Sequence, residues 1–222
     1  MTGVYEHALG DAADDLHPRV RERYGIGPDD GVACVGRGRM DIDNGTLALP
    51  ALYAMPARDL LFPETGTDVP FTVTTVGYRI DGYEALTTRR TFDFGDRQRR
   101  FDSVTVRDHE NERLLDFLGR GGLIASELRP RVEDGALVVG GGRQWTRLGS
   151  RYLGLPGPLA ADVEVRDRYD EGDERFHVTA TVTNPLTGRI LRYRGTFTQE
   201  FEDWETVPEE YRPTRLTSLP PR

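Results

Sequence analysis

The spacing of apolar residues changes once along the chain. From Val4 to Tyr24 they recur at three- to five-residue intervals: Val4, Leu9, Ala12, Leu16, Val20 and Tyr24. This spacing lays an apolar stripe along a helix. Pro18 suits a first helical turn, so two short helices with a break near His17 are expected, ended by Gly25, Gly27 and Pro28. From Val32 onward the period shortens to two, and strands separated by turns are expected.

Three dipeptides mark tight hairpins, because each readily takes the positive φ angles of a two-residue turn. Asn44-Gly45 lies between Met40–Asp43 and Thr46–Leu49. Asp81-Gly82 joins TVTTVGYRI to YEALTTRRTF, and Asp134-Gly135 joins RPRVE to ALVVG. Two apolar, proline-broken segments interrupt the strands: Leu47 to Phe62 and Leu148 to Leu159. Each precedes a strand opening on Asp-Val, a faint sign of a repeated strand–short helix–strand unit.

The stretch NPLTGRILRYRGTF, Asn184 to Phe197, reads as a strand that contains arginines. Its register follows from asking which pairing gives each face one chemistry. A four-residue loop over Pro185–Gly188 sets Val182 opposite Leu191 and collects Phe176, Val178, Ala180, Tyr193 and Phe197 on one face. A five-residue loop mixes Arg192 and Arg194 with Val178 and Val182, so the shorter loop is preferred. The preceding strand alternates too, and a loop over Asp170–Asp173 sets Val165 opposite Val178. Arg194 then shares a row with Thr179 and Glu164, and Arg192 with Thr181 and Asp162. This polar face is either a solvated outside or the inside of a curved sheet, where arginines can hold an anionic head.

The hairpin around Asp81-Gly82 is apolar on both faces. With Ile80 opposite Tyr83, one face carries Val76, Tyr78 and Ala85, the other Phe71, Val73, Leu86, Arg90 and Phe92. Either a bulge near Gly77 reconciles the pattern, or both faces are covered, as in a sheet that wraps a cavity and is also backed by a helix.

Composition narrows the function classes. The chain has 222 residues and a net charge of −8, and all 29 basic residues are arginine. An acidic protein repels nucleic acid at long range, so no nucleic-acid partner is expected. The single cysteine, Cys34, excludes an internal disulfide and a cysteine metal cluster. No apolar run is long enough for a membrane span and no signal-peptide pattern opens the chain, so a cytoplasmic location is expected. The P-loop, Gly-x-Ser-x-Gly and His-Glu-x-x-His motifs are absent, and GRGRM, Gly36 to Met40, lacks the third glycine of a dinucleotide fingerprint. The four histidines have no metal-ligand spacing, so no metal, no cofactor and no assigned catalytic residue are expected.

Several blocks resemble the domain-of-unknown-function family 4166: YEHALGDAADDLHPRVRERYG, GRGRM, TRRTFDFGDRQRRFDS, LGLPGPLAADVEVRDRY and FHVTATVTNPLTGRILRYRGTF, in that order from about Tyr5 to Phe201. The resemblance implies no activity and no catalytic residues. It implies that Arg89, Arg90, Phe101, Ser103, Tyr193, Arg194 and Gly195 fall in the family's typical blocks. The charged DRQRR stretch before Phe101 is a departure from them.

The expected fold is α+β and mostly β: an N-terminal helical segment packed on a large curved antiparallel sheet of about nine to eleven strands, which in a partly closed form is lipocalin-like. Residues 1–201 are expected to form one domain and 202–222 a tail rich in proline and acid. The leading functional expectation is binding of a small apolar or amphipathic anionic ligand, with Arg90, Phe101, Ser103, Tyr193 and Arg194 as candidate contacts. The rivals are a protein-interaction module docking through residues 47–62 and an enzyme using His177 with Glu164 or Tyr193.

Overall fold

A computed structural model describes residues 3–55, 57, 59–212, 216 and 218–222. Among these, eleven strands form one antiparallel sheet: β1 Val32–Asn44, β2 Gly66–Ile80, β3 Tyr83–Asp93, β4 Gln98–Asp108, β5 Arg113–Leu118, β6 Ile124–Glu133, β7 Ala136–Leu148, β8 Arg151–Gly154, β9 Asp162–Asp170, β10 Arg175–Asn184 and β11 Gly188–Asp203. Strands β1 to β7 pair in chain order. The second edge of β7 is then shared: Leu137–Gly140 pair with β9 and Trp145–Leu148 with β8. From β9 the meander continues to β11, which pairs with β1 from Val32↔Asp203 to Asn44↔Leu191. A closed ten-strand barrel results, with β8 as a flap outside the ring. Closure leaves no long unpaired edge. No helix among the described residues is long and apolar enough to cross a membrane.

Strand alternation decides what lies inside. Cys34, Met40 and Ile42 of β1 point inward, and so do Leu191, Tyr193 and Phe197 of β11. Where these strands coil tightly there is no room for a side chain. A Cβ on Gly38 would sit 2.0 Å from the Thr196 carbonyl oxygen, and one on Gly195 2.0 Å from that of Arg39. Gly38 of GRGRM and Gly195 of YRG therefore serve a close backbone approach, while Gly36 makes room for the Val73 and Phe197 side chains.

Two of the three expected hairpins form. Asp81 and Gly82 (φ 49° and 85°) and Asp134 and Gly135 (φ 51° and 75°) close two-residue turns between Ile80↔Tyr83 and Glu133↔Ala136. Asn44-Gly45 does not form one. Both edges of β1 are already taken by β2 and β11, so a third strand has no partner. The chain instead enters a 3-10 turn, Thr46–Ala48, and helix α3, Leu49–Ala54, with Pro50 in its first turn.

The final meander corrects one register. β10 and β11 pair as expected, with Ala180 opposite Tyr193 and Val182 opposite Leu191, before a bulge sets Thr183 against Arg189. β9 is displaced by two residues from expectation: Val178 faces Asp167 and Ala180 faces Val165. A two-residue slip preserves inside and outside, so alternation could not reveal it. The polar rows become Arg166–Thr179–Arg194–Asp41 and Glu164–Thr181–Arg192–Asp43, all on the barrel's outer face.

Both barrel ends are covered. Helices α1 (Val4–Leu9) and α2 (Pro18–Tyr24), joined by a 3-10 turn over Gly10–Asp15, plug the end that carries the Asp81-Gly82 and Asp134-Gly135 turns; His17 N donates to the Gly135 carbonyl at 2.9 Å. His17 is the α2 N-cap, its Nδ1 accepting from Arg19 N at 3.2 Å. At the other end the segment after β1 folds over the mouth, with Ala48, Leu52, Leu60, Leu61 and Phe62 buried.

The two-sided hairpin is also explained. Phe71, Val73, Leu86 and Phe92 face the interior, while Tyr78 and Ala85 join Val104, Val106, Leu115 and Phe117 in a second cluster outside. Among the described residues no α-helix backs this outer face, and a 3-10 turn, Glu209–Tyr211, lies against it. The segment after β11 covers it, burying Leu216. Thr87 Oγ1 donates to the Tyr211 carbonyl at 2.7 Å, Arg113 Nη2 to that of Pro220 at 2.6 Å, and Leu216 N to Asp81 Oδ2 at 3.0 Å.

Candidate ligand cavity

The barrel interior is not filled. A cavity of about 220 Å³ lies between plug and roof. Val139, Val163, Val165, Val178, Ala180 and Val182 supply an aliphatic wall, and Met55, Leu60, Leu61, Leu155 and Leu159 form the roof. Toward the plug the lining turns polar. Tyr5, Arg23 and Tyr24 rise from the helices, and Arg90, Ser103 and Asp116 come from the inner faces of β3, β4 and β5.

These polar groups form two sets. The first is held together by an ion pair. Arg23 and Asp167, 4% and 2% exposed, meet at 3.3 Å. Tyr24 Oη donates to Asp167 Oδ2 at 2.8 Å, Arg23 Nη1 donates to Gln199 Oε1 at 3.2 Å, and the guanidinium sits 4.7 Å from the Phe197 ring centre. Burial raises the Asp167 carboxyl pKa, and Arg23 and Tyr24 oppose that rise. This ion pair ties α2 to β9.

The second set is open. Arg90 Nη1 reaches Ser103 Oγ at 3.4 Å, a long contact, and the guanidinium lies 5.1 Å from the Phe101 ring centre. Among the described residues no carboxylate oxygen lies within 4.0 Å of it. Burial disfavours its charge, but nearby Tyr193 and Asp116 outweigh that effect and raise its pKa. Asp116 accepts from Thr105 Oγ1 at 2.9 Å, and that hydroxyl stands 3.5 Å from Tyr5 Oη. Burial raises the Asp116 pKa, with Arg90, Thr105 and Ser103 pulling it down. Both residues keep accessible surface inside a closed barrel, and it opens onto the cavity they line.

The structure gathers Arg90, Phe101, Ser103 and Tyr193 around this cavity. Arg194 is not among them. The inward positions of β11 are Tyr193 and Gly195, so Arg194 projects outward, its side chain 59% exposed and 3.8 Å from Asp41. Nor do the proposed acid–base partners converge. His177 faces out, its Nε2 2.8 Å from Asp173, whereas Tyr193 faces in. Glu164 pairs with Thr181, four residues along from His177. The segment 47–62 turns most of its apolar residues inward; Leu47 and Tyr53 face solvent, and positions 56 and 58 lie outside the described residues. Asp116, Asp167, Arg23, Tyr5 and Tyr24 escaped sequence reading. The available signal was an acid in the inward phase of a strand, as in RLLDFL and VEVRDRY.

Asp170, Asp173 and His177 bring ligand atoms within 4.8 Å of one another at the β9–β10 turn. Arg168, 2.6 Å from Asp170, already supplies a positive charge there, and the group stands outside the barrel.

The family model described as "Domain of unknown function (DUF4166)" matches residues 16–197. The chain is also similar to "Uncharacterized protein YndH" of Bacillus subtilis (strain 168), with 29% identity over 204 residues, covering 90% of this chain and 98% of that protein.

Proposed function

Because the chain belongs to the DUF4166 family, whose description assigns no activity, we propose a function from the cavity itself: the barrel binds a small amphipathic anion, its apolar part against the aliphatic wall and its charge on Arg90. The observation that carries this reading is a guanidinium enclosed in a barrel with no carboxylate in contact among the described residues. A charge of this kind is costly unless paired and hydrogen-bonded. Arginine also presents a planar fork that matches a carboxylate.

Size limits the ligand. A volume of 220 Å³ holds roughly seven to nine non-hydrogen atoms, at about 25–30 Å³ each. A medium-chain carboxylate fits, and a long-chain fatty acid exceeds the space. Its binding gains about 0.8 kcal/mol for each buried methylene.

The test is calorimetric titration of the full chain with hexanoate. Wild type binds, Arg90→Met weakens binding by about 30-fold or more through loss of a charge-assisted hydrogen-bonded pair, and the outward Arg194→Ala changes nothing. Equal hexanoate affinity in wild type and Arg90→Met rejects the proposal.

A further inference from the structure

The cavity floor carries a second open charge of opposite sign, and it bears on the ligand's chemistry. A plain carboxylate would satisfy Arg90 but would also stand beside Asp116, an acid in the same enclosure. Asp116 is not consumed by Arg90: no oxygen–nitrogen approach within 4.0 Å joins them among the described residues. The contrast is with Arg23 and Asp167, which meet at 3.3 Å on the same floor. Ser103 spaces the two open charges. Its hydroxyl receives Arg90 Nη1 at 3.4 Å, and its strand position makes it a diagonal neighbour of Asp116 on the inner face. An ionised carboxylate has about four acceptor positions, and Thr105 at 2.9 Å takes one, with Ser103 beside a second. Acceptor capacity therefore remains toward the cavity.

Resting on the binding role proposed above, we infer that the ligand is a bifunctional medium-chain acid: its carboxylate meets Arg90, and a hydroxyl or ammonium group close to that carboxylate donates to Asp116. Such a ligand satisfies both charges at once. A plain fatty acid leaves Asp116 facing an anion, and a plain amine leaves Arg90 unmatched.

The test titrates hexanoate, 2-hydroxyhexanoate, 2-aminohexanoate and hexylamine into the full-length protein. The expected result is that the hydroxy or amino acid binds at least about tenfold tighter than hexanoate, the increment of one hydrogen bond to a charged group. Hexylamine is expected to bind more weakly than either. Asp116→Asn should erase the preference, weakening the hydroxy and amino acids and tightening hexanoate, which no longer faces a carboxylate. Hexanoate binding as tightly as the hydroxy and amino acids overturns the inference and leaves the binding role standing. A preference that persists in Asp116→Asn overturns it too. Binding of none of the four removes both. The wild-type series decides the matter even if the variant does not fold.

Discussion

Arg90 and Asp116 are placed as a fold does not need them, and this can be measured. The double variant Arg90→Met, Asp116→Asn removes both open charges. Methionine fills similar length in an apolar barrel, and asparagine keeps an acceptor for Thr105. The losses are small: one 3.4 Å contact to Ser103 and a guanidinium–ring contact at 5.1 Å to Phe101, each worth about 0.5–1 kcal/mol. The gain is relief from holding two charges out of bulk water. Replacing buried charges by apolar or neutral groups is neutral to stabilising by about 1–4 kcal/mol. A net gain of about 2 kcal/mol raises the melting temperature of a chain this size by about 4–8 °C. Differential scanning calorimetry of wild type and double variant reads this directly, and titration with hexanoate on the same samples should show binding lost. Stability gained as binding is lost is the mark of charges kept for a ligand. A melting temperature lowered by 4 °C or more would refute the reasoning and make Arg90 and Asp116 structural.

The other arginine on the cavity floor should behave in the opposite way. Arg23→Met strands Asp167, which is 2% exposed, and is expected to cost about 3–5 kcal/mol; an unchanged urea midpoint would contradict the reading of this pair as the tie between plug and barrel. Burial raises the phenol pKa of Tyr5, Tyr24, Tyr78, Tyr152 and Tyr193, that of Tyr78 to about 12. A folded value above the unfolded one means that the associated stability is complete below the unfolded pKa, near 10, and is lost as pH rises through the folded value. Ultraviolet titration should therefore show these five of the nine tyrosines ionising only as circular dichroism reports alkaline unfolding; ionisation of all nine with the fold intact would overturn the assignment.

The barrel was legible in the sequence where alternation was strict. Asp81-Gly82 and Asp134-Gly135 announced their turns, and the inward run Phe176, Val178, Ala180 and Val182 fixed β10 against Leu191 and Tyr193 of β11. The doubly apolar β2–β3 hairpin left two readings open, a bulge near Gly77 or cover on both faces, and it is the second that the structure has, with the C-terminal segment as the outer layer. That segment's one short 3-10 turn, Glu209–Tyr211, leaves no period to read. Closure itself was hidden, because the β1–β11 pairing joins residues more than a hundred positions apart and depends on backbone approach at Gly38 and Gly195. In the cavity, Arg90 stood out as a charge sharing a face with Phe71, Val73 and Phe92. Arg194 looked equivalent until the register put its neighbours Tyr193 and Gly195 inside. Asp116 and Asp167 were missed because alternation treats a single inward acid as noise. Such exceptions to pattern are where a fold accommodates chemistry.

The binding proposal rests on a largely apolar cavity of about 220 Å³ with Arg90 in its lining. Calorimetric titration with straight-chain carboxylates of increasing length puts it to the test. Affinity should rise about three- to fourfold with each methylene, from about 0.8 kcal/mol apiece, up to about five to seven carbons, and then fall as the chain outgrows the barrel. An affinity that climbs without a break to sixteen carbons, or no binding at any length, would contradict the account.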